Sequence, residues 1–338
     1  MNNKTSKELL LRYEKNAVTG PVIRYLRANF GILIGFLVLF ILLSIFADHF
    51  FSRENLLTVL RTVSTNAFLA IGVMMAIMLG GIDLTGGALI ALSGCVCVVA
   101  IERMGLPMPV AIAFGLAIGA AAGFTNGVII AYSGIHPFVV TLAMMSICRG
   151  GAYLIADGRP VPLNTNTAAF TFLGNGYLGF IPLPVIYMLV YLFLAYLLLN
   201  RSRIGRHIYA VGGNPVAAKY SGVNIIRVKI MVWTISGFLG AFAGIILAAR
   251  MSSGQPSAGV SFETDAIAAA VLGGTSMYGG VGSVGGVFIG ILVIGIISNG
   301  LNLLHVNSFW QYVAKGIIIL LAVYIDMVRQ KRQNLRKD

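Results

Sequence analysis

The sequence predicts an all-α, polytopic membrane protein of about ten transmembrane helices, some broken by glycine, with both termini cytoplasmic. Three observations predict it. Of 338 residues, 58% are hydrophobic and only 10% are charged, whereas a soluble domain carries about 25% charged residues; lipid must cover part of this surface. Apolar runs close to the length that crosses about 30 Å of hydrocarbon recur along the whole chain. The net charge of +13 is gathered into three clusters that flank those runs, which is the positive-inside pattern. Lys4, Lys7, Arg12, Lys15, Arg24 and Arg27 form the first cluster. Arg201, Arg203, Arg206, Lys219, Arg227 and Lys229 form the second, and Arg329, Lys331, Arg332, Arg336 and Lys337 the third. Charge placed in this way does not point to nucleic acid.

Residues 1–30 read as a basic cytoplasmic arm suited to an anionic inner leaflet, and residues 31–327 as the transmembrane domain. The predicted spans are 31–46, 56–79, 84–101, 109–132, 138–156, 183–199, 230–249, 266–278, 287–304 and 309–325. Residues 328–338 form a basic cytoplasmic tail. The first span is not expected to be a removable signal peptide, because a long basic arm precedes it and no small-residue cleavage site follows. If both ends and the central basic segment share one side, the spans on either side of that segment must be even in number. The glycine-rich run 266–278 must then cross as well, in a bent form. Residues 157–182 become the longest outer, periplasmic loop, a length usually kept for function; Phe170, Phe172, Tyr177 and Phe180 in it suit a membrane interface or the lip of a vestibule.

The central segment, 200–229, reads NRSRIGRHIYAVGGNPVAAKYSGVNIIRVK. It is a polar, basic island between two apolar blocks, and a short helix is written into it. Asn214 is a good N-cap and Pro215 suits the first helical position, where its missing N–H is not needed. Val216 and Tyr220 share a face, and Gly222 can adopt the left-handed conformation that ends a helix. Two turns, about 10 Å, do not hold together alone in water. The island therefore reads as a plug for a soluble partner.

Other polar residues are few. In LGGIDLTGGA, 79–88, paired glycines break the chain around Asp83. A carboxylate is costly in hydrocarbon, so Asp83 either caps the next helix near the inner interface or serves as a gate. Gly115, Gly119, Gly123 and Gly127 make a small-residue stripe for close helix packing, and Asn126 beside it either bonds a neighbour or lines a polar path. Arg149 must pair or snorkel. Glu263 and Asp265 either complement a helix dipole or line the path. Gly280-x-Gly282-x-x-Gly285 lacks a preceding strand and reads as a second helix break, not a dinucleotide fingerprint; it loosely echoes 79–87, hinting at an internal repeat. Cys95, Cys97 and Cys148 read as buried thiols. His136 has no second ligand at metal spacing, so no metal is expected. Arg53, Arg159 and Arg250 fall outside, where acidic residues of a partner could meet them.

No phosphate-cradling G-x-x-x-x-G-K-[ST], no H-E-x-x-H and no G-x-S-x-G occurs. The chain is not expected to be an enzyme or to hold a cofactor, and its energy must come from another subunit.

Taken together, several stretches carry a resemblance. They are GGIDLTGG at 80–87, PFVVTLAMMSICRG at 137–150, GRHIYAVGGNPVAAKYSGVN at 205–224 and ETDAIAAAVLGGTSMYGGVG at 263–282. NGLNLLHVNSFWQYVAKGIIILLAVYID at 299–326 adds to them. In this order and spacing the chain resembles the membrane permease subunits of ABC-type monosaccharide importers, the carbohydrate-uptake class two group. Thr85 stands where the family would have serine. The resemblance implies a bacterial inner-membrane protein that forms the path for a monosaccharide, ribose or a related pentose or hexose. It implies as partners a second permease subunit, as a homodimer, a periplasmic sugar-binding protein and a cytoplasmic ATPase that binds the ATP. It makes the island the coupling helix, with Gly205, Tyr209, Gly212, Gly213, Asn214, Pro215, Ala217, Ala218, Tyr220, Ser221 and Gly222 at the ATPase. Asp83, Asn126, Glu263 and Asp265 are the candidate path or gate residues, and Arg53, Arg159 and Arg250 the candidate binding-protein contacts. Permeases for branched-chain amino acids or nucleosides, which share the fold superfamily, and an ion-coupled sugar transporter are the alternatives.

A reporter fused beside Pro215 is expected to read cytoplasmic, on the same side as reporters at both termini. An outer reading at Pro215 would break the parity of the ten-span arrangement.

Overall fold

The computed structural model describes residues 30–164 and 167–334. Most of the arm expected at 1–30, and residues 335–338 of the tail, lie outside the described residues. Thirteen helices occur among those described. They are α1 (Phe30–Phe46), α2 (Arg53–Met78), α3 (Gly86–Glu102), α4 (Met108–Tyr132), α5 (Pro137–Ile155), α6 (Thr167–Asn175) and α7 (Leu183–Arg201). The rest are α8 (Arg203–Gly213), α9 (Pro215–Tyr220), α10 (Ile225–Met251), α11 (Phe262–Leu272), α12 (Val284–Leu303) and α13 (Ser308–Asn334). Four two-residue strands make two antiparallel ladders, β1 (Val161–Pro162) with β4 (Ser253–Gly254) and β2 (Tyr177–Leu178) with β3 (Ile181–Pro182).

The helix ends follow local chemistry. Ser52 accepts from the Asn55 N–H at 3.2 Å and starts α2. Asn224 accepts from the Arg227 N–H at 3.0 Å and starts α10, which Ser252 ends in the left-handed region at φ 50°. Prolines stand in the first turns of α4, α5 and α7, where no intrahelical N–H is lost.

Each of the ten predicted apolar runs overlaps a helix. Six of these, α2, α4, α5, α7, α10 and α12, are long and apolar enough to cross a membrane. The run at 266–278 differs most from expectation. Its helix, α11, begins at Phe262 and stops at Leu272, so at 1.5 Å per residue it spans about 16 Å, half a bilayer core. Gly273 and Gly274 (φ 83°) turn the chain, and Tyr278 stands exposed beyond them. The 157–182 loop also differs from expectation: Phe170 is fully buried with Val161, Leu163 and Ala248, while Phe172, Tyr177 and Phe180 are exposed.

α10 is the pillar of the bundle. A side chain at Gly119 would strike the Gly237 carbonyl 2.7 Å away, and one at Gly127 would lie 2.7 Å from the Ile230 Cα. The predicted glycine stripe of α4 therefore seats the two backbones against each other, as small-residue stripes do in hydrocarbon. Gly244 and Gly240 bring α3 onto a second side of α10, and Gly72 brings α2 against Ser236 on a third.

Around this pillar two segments are unwound. Residues 79–85 turn back along α2, so that Gly86, the first residue of α3, lies against Leu69. Leu69 is about 14 Å from the Met78 end of α2 at 1.5 Å per residue. Residues 252–261 run along α3: Gly254 packs on Cys95 and Val98, and Gly259 on Gly87 and Ile90. Both α3 and α11 consequently begin inside the bundle, not at its ends.

Gly123→Val should drive α4 off α10, since the Trp233 carbonyl and Gly237 occupy the space of a side chain there. Overpacking of this kind costs about 1–3 kcal/mol or more. Gly150→Ala, with nothing within 4 Å, should be neutral. Yield of monodisperse protein in detergent and its thermal midpoint check both.

Candidate functional site

The island folds as two helices joined at Asn214. Ser202 caps α8 by accepting from the Gly205 N–H at 3.0 Å. Asn214 closes α8 and opens α9, its Oδ1 accepting from the Ala217 N–H at 2.9 Å. Gly222 takes φ 82° just after α9. The cap, the proline and the stop are those expected, whereas α8 was not foreseen. Its signal was present: Ser202 before it, then Ile204, Ile208 and Val211 at helical spacing.

The eleven predicted coupling residues divide by orientation. Gly213, Asn214, Pro215, Ala217, Tyr220, Ser221 and Gly222 are exposed, and Tyr220 is 88% exposed with Val216 beside it at 64%. Gly205, Tyr209, Gly212 and Ala218 turn toward the bundle. Gly205 sits under the Leu198 and Leu199 carbonyls. The Tyr209 hydroxyl donates to the Gly282 carbonyl at 2.8 Å, and burial pushes its phenol up from the ordinary value, keeping the donor protonated. A side chain at Gly212 would collide with the Met78 carbonyl, which itself accepts from the Gly280 N–H at 2.9 Å. The exposed peg is thus carried on a helix that touches the end of α2 and the loop 273–283 at one point. Those are the places where the sequence predicted two helix breaks.

Asp83 is 2% exposed. Its carboxylate accepts from the Ser236 hydroxyl at 2.6 Å and from the Thr85 N–H at 2.9 Å. Thr85, not Asp83, is the residue before α3. Ser236 lies about 16 Å along α10 from Ile225 at 1.5 Å per residue, so Asp83 stands level with the middle of the pillar and not near the inner interface. Asn126 donates to the Thr85 hydroxyl at 3.0 Å, and the Thr141 hydroxyl donates to the Ile82 carbonyl at 2.9 Å. Side chains from α4, α5 and α10 therefore satisfy the unwound segment, as backbone at this depth requires.

Asp265 pairs with Lys315 of α13 at 2.8 Å, both largely buried. Glu263 lies elsewhere, half-buried against Gly87 at the start of α3. The four predicted path residues are thus split between the Asp83–Asn126 network, the α11–α13 pair and the α3–α11 contact. Of the arginines expected outside, Arg53 and Arg159 are exposed, while Arg250 is half-buried near Arg61. Arg61, missed in the sequence, bonds to the Tyr177 hydroxyl. His136 caps α5, accepting from the Phe138 N–H at 3.4 Å.

Residues 55–323 match the family described as branched-chain amino acid transport system / permease component. Ribose import permease proteins of Haemophilus influenzae and Escherichia coli are 42% and 43% identical to the chain, over 87% and 88% of its length and 91% and 93% of theirs. The D-allose transport system permease protein of Escherichia coli is 37% identical over 88% of the chain and 91% of its own. No solved structure matches.

Tyr209→Phe should destabilise the peg mount by about 1 kcal/mol, the loss of one hydrogen bond. Gly212→Leu should destabilise it more. Thermal unfolding in detergent, read against Tyr220→Ala on the exposed face as an unaffected control, checks the order.

Proposed function

The chain belongs to this family of transport-system permease components, and we propose that it moves ribose or a similar monosaccharide inward on energy supplied by a separate ATPase. It is a multi-pass inner-membrane protein and the permease subunit of a sugar importer. The family description names branched-chain amino acids, but the relatives at 37–44% identity that cover 87–90% of the chain are permeases for ribose, D-allose and L-arabinose. This supports a monosaccharide as cargo.

One observation carries the ATP-driven reading: a capped, exposed peg on a helix that is bonded to the 273–283 loop through Tyr209 and packed on the Met78 end of α2 through Gly212. In this reading the ATPase grips Val216 and Tyr220 on α9. Closure of the ATPase displaces α8, and α8 pulls on Met78 and on the Gly280–Gly282 turn together. Those two points lead directly into 79–85 and α11, the parts of the bundle with broken helices. A partner moves this equilibrium only if it grips the inward- and outward-facing states unequally; a peg tied to the moving parts supplies that difference.

The remaining assignments follow from the same reading. About ten spans place both termini and the peg in the cytoplasm. The exposed Arg53 and Arg159 face outward to acidic residues of a sugar-binding protein. Asp83 and Asn126 act as the hinge of the unwound segment, held by Ser236 and Thr85, and the Asp265–Lys315 pair ties α11 to α13. A second copy of the chain completes the path, and lipid covers the apolar outer faces.

Replacing 213–215 by Gly-Ser-Gly should leave membrane insertion normal, reduce ATP-dependent ribose uptake to background and lower recovery of the ATPase on purification. Unchanged recovery and uptake would remove α9 from the coupling role. Arg53→Glu combined with Arg159→Glu should slow uptake at low binding-protein concentration, and the parent's uptake should fall as salt screens exposed charges beyond about 10 Å.

A further inference from the structure

A cleft of about 570 Å³ lies at the end of the bundle away from the peg. Glu102 and Arg103 at the end of α3, Asp157 and Arg159 after α5, and Val161 and Asn164 around β1 line it. The peg, α9, precedes the Ile225 end of α10. The cleft borders the other end, past Met251, where the Leu163 N–H donates to the Ser252 carbonyl at 3.0 Å. The two ends of α10 are about 39 Å apart at 1.5 Å per residue, so cleft and peg stand on opposite faces of the bundle.

Most charges at the cleft are already answered. Arg103 pairs with Asp157 at 2.7 Å, and the Glu102 carboxylate accepts from the Asn164 N–H at 2.6 Å. Arg159 is exposed and, among the described residues, its side chain has neither an ion pair nor a hydrogen bond. The cleft therefore offers one unanswered cation.

The wall of the cleft is tied to α11. β1 pairs with β4, Val161 opposite Gly254 and Pro162 opposite Ser253, and β4 lies in the stretch 252–261 that leads into α11. That stretch is fixed along its length. Gly254 packs on Cys95 and Val98, and Gly259 on Gly87 and Ile90. Between them the Arg149 Nη1 donates to the Pro256 carbonyl at 2.9 Å and the Ala258 carbonyl at 2.6 Å. Ser252 and Ser261, at its two ends, hold φ of 50° and 66°, a conformation that serine keeps only where its surroundings impose it. The stretch is thus a strap from the cleft wall to the start of α11. The other end of α11 leads into the 273–283 loop, which α8 holds through Tyr209 and Gly282. One short helix is tied to both faces.

We propose that the cleft receives a protein segment that presents a carboxylate to Arg159, and that the strap passes its arrival to α11. This rests on the import reading, in which the sugar-delivering protein supplies the segment. A carboxylate answers a guanidinium with two parallel hydrogen bonds, whereas a neutral sugar would leave the charge of Arg159 unmatched. The chain carrying the carboxylate fills the rest of the cleft, where Asn164 and the Arg103–Asp157 pair meet its polar groups. Docking at this face and the grip at α8 then act on the same helix from its two ends.

The test uses the full chain assembled with its ATPase in nanodiscs, with the ribose-loaded binding protein of the host added. A benzophenone amino acid in place of Asn164 should crosslink to the binding protein, and one in place of Lys219, on the peg, should not. Arg159→Glu should raise the concentration of binding protein that half-stimulates ATP hydrolysis at least tenfold. Arg149→Met, which lines no part of the cleft, should behave differently. Its crosslinking at position 164 should titrate within twofold of the parent, while stimulation falls at least fivefold. Leu163→Pro, which deletes the N–H bonded to Ser252, should do the same. No crosslink at position 164 in a complex that imports ribose in cells, half-stimulation unchanged in Arg159→Glu, or full stimulation in Arg149→Met would each overturn the proposal. If neither strap variant assembles, a disulfide between Pro162→Cys and Ser253→Cys, opposed across the ladder, decides. Welding a strap that moves as one piece should leave stimulation intact, and its loss would overturn the proposal. A parent complex that assembles but imports no ribose would instead overturn the import reading, with the crosslink still reporting on the cleft.

Discussion

The arrangement depends on how closely α10 can be approached. In hydrocarbon no hydrophobic force draws helices together, so association relies on van der Waals contact and on the few polar bonds available. Gly237 of α10 meets Gly119 and Gly123 of α4, Gly244 meets Ser93 and Ile90 of α3, and Gly72 of α2 meets Ser236. Glycine at these crossings lets carbonyls and Cα atoms of different helices touch. With α10 fixed on three sides, Ser236 stands within 2.6 Å of Asp83, and the Ser93 hydroxyl reaches the Ala241 carbonyl at 3.1 Å.

A bundle packed so tightly can tolerate irregular backbone only where protein satisfies it. The two unwound segments receive that support from other helices: Thr141 and Ser236 serve 79–85, and Arg149 serves 252–261. This accounts for the sparse polar residues of an otherwise apolar chain. Asp83, Asn126, Thr141 and Arg149 are spent on the breaks, Ser52, Ser202, Asn214 and Asn224 on caps, and Asp265 and Lys315 on a buried pair. It also gives the peg its mechanical meaning, because α8 abuts the end of α2 and the 273–283 loop, where the backbone leaves regular helix.

Much of this was legible in the sequence. Hydropathy is a local property, so the apolar runs marked their helices, α2 and α7 to within a few residues. Caps are local too, and Asn214, Pro215 and Gly222 act as their types dictate. The stripe from Gly115 to Gly127 announced a close helix contact, though not which helix it meets. Residue type could not decide orientation: Tyr209 and Tyr220 lie in one island, yet one hydroxyl is turned onto Gly282 and the other side chain faces out. Nor could it show what the apolar face of α8 lies on, although the Ser202 cap and the spacing of Ile204, Ile208 and Val211 marked the helix.

By itself the sequence determined membrane residence, the apolar helices and the capped peg, because each follows from the solvent preference or backbone chemistry of neighbouring residues. Only the tertiary structure decided that Asp83 belongs with Ser236, 153 residues away, that Lys315 answers Asp265, and that Arg149 grips the approach to α11. It also decided that α3 and α11 start inside the bundle. These are pairings between distant parts of the chain, fixed by which backbones can approach one another, and no local pattern encodes that distance.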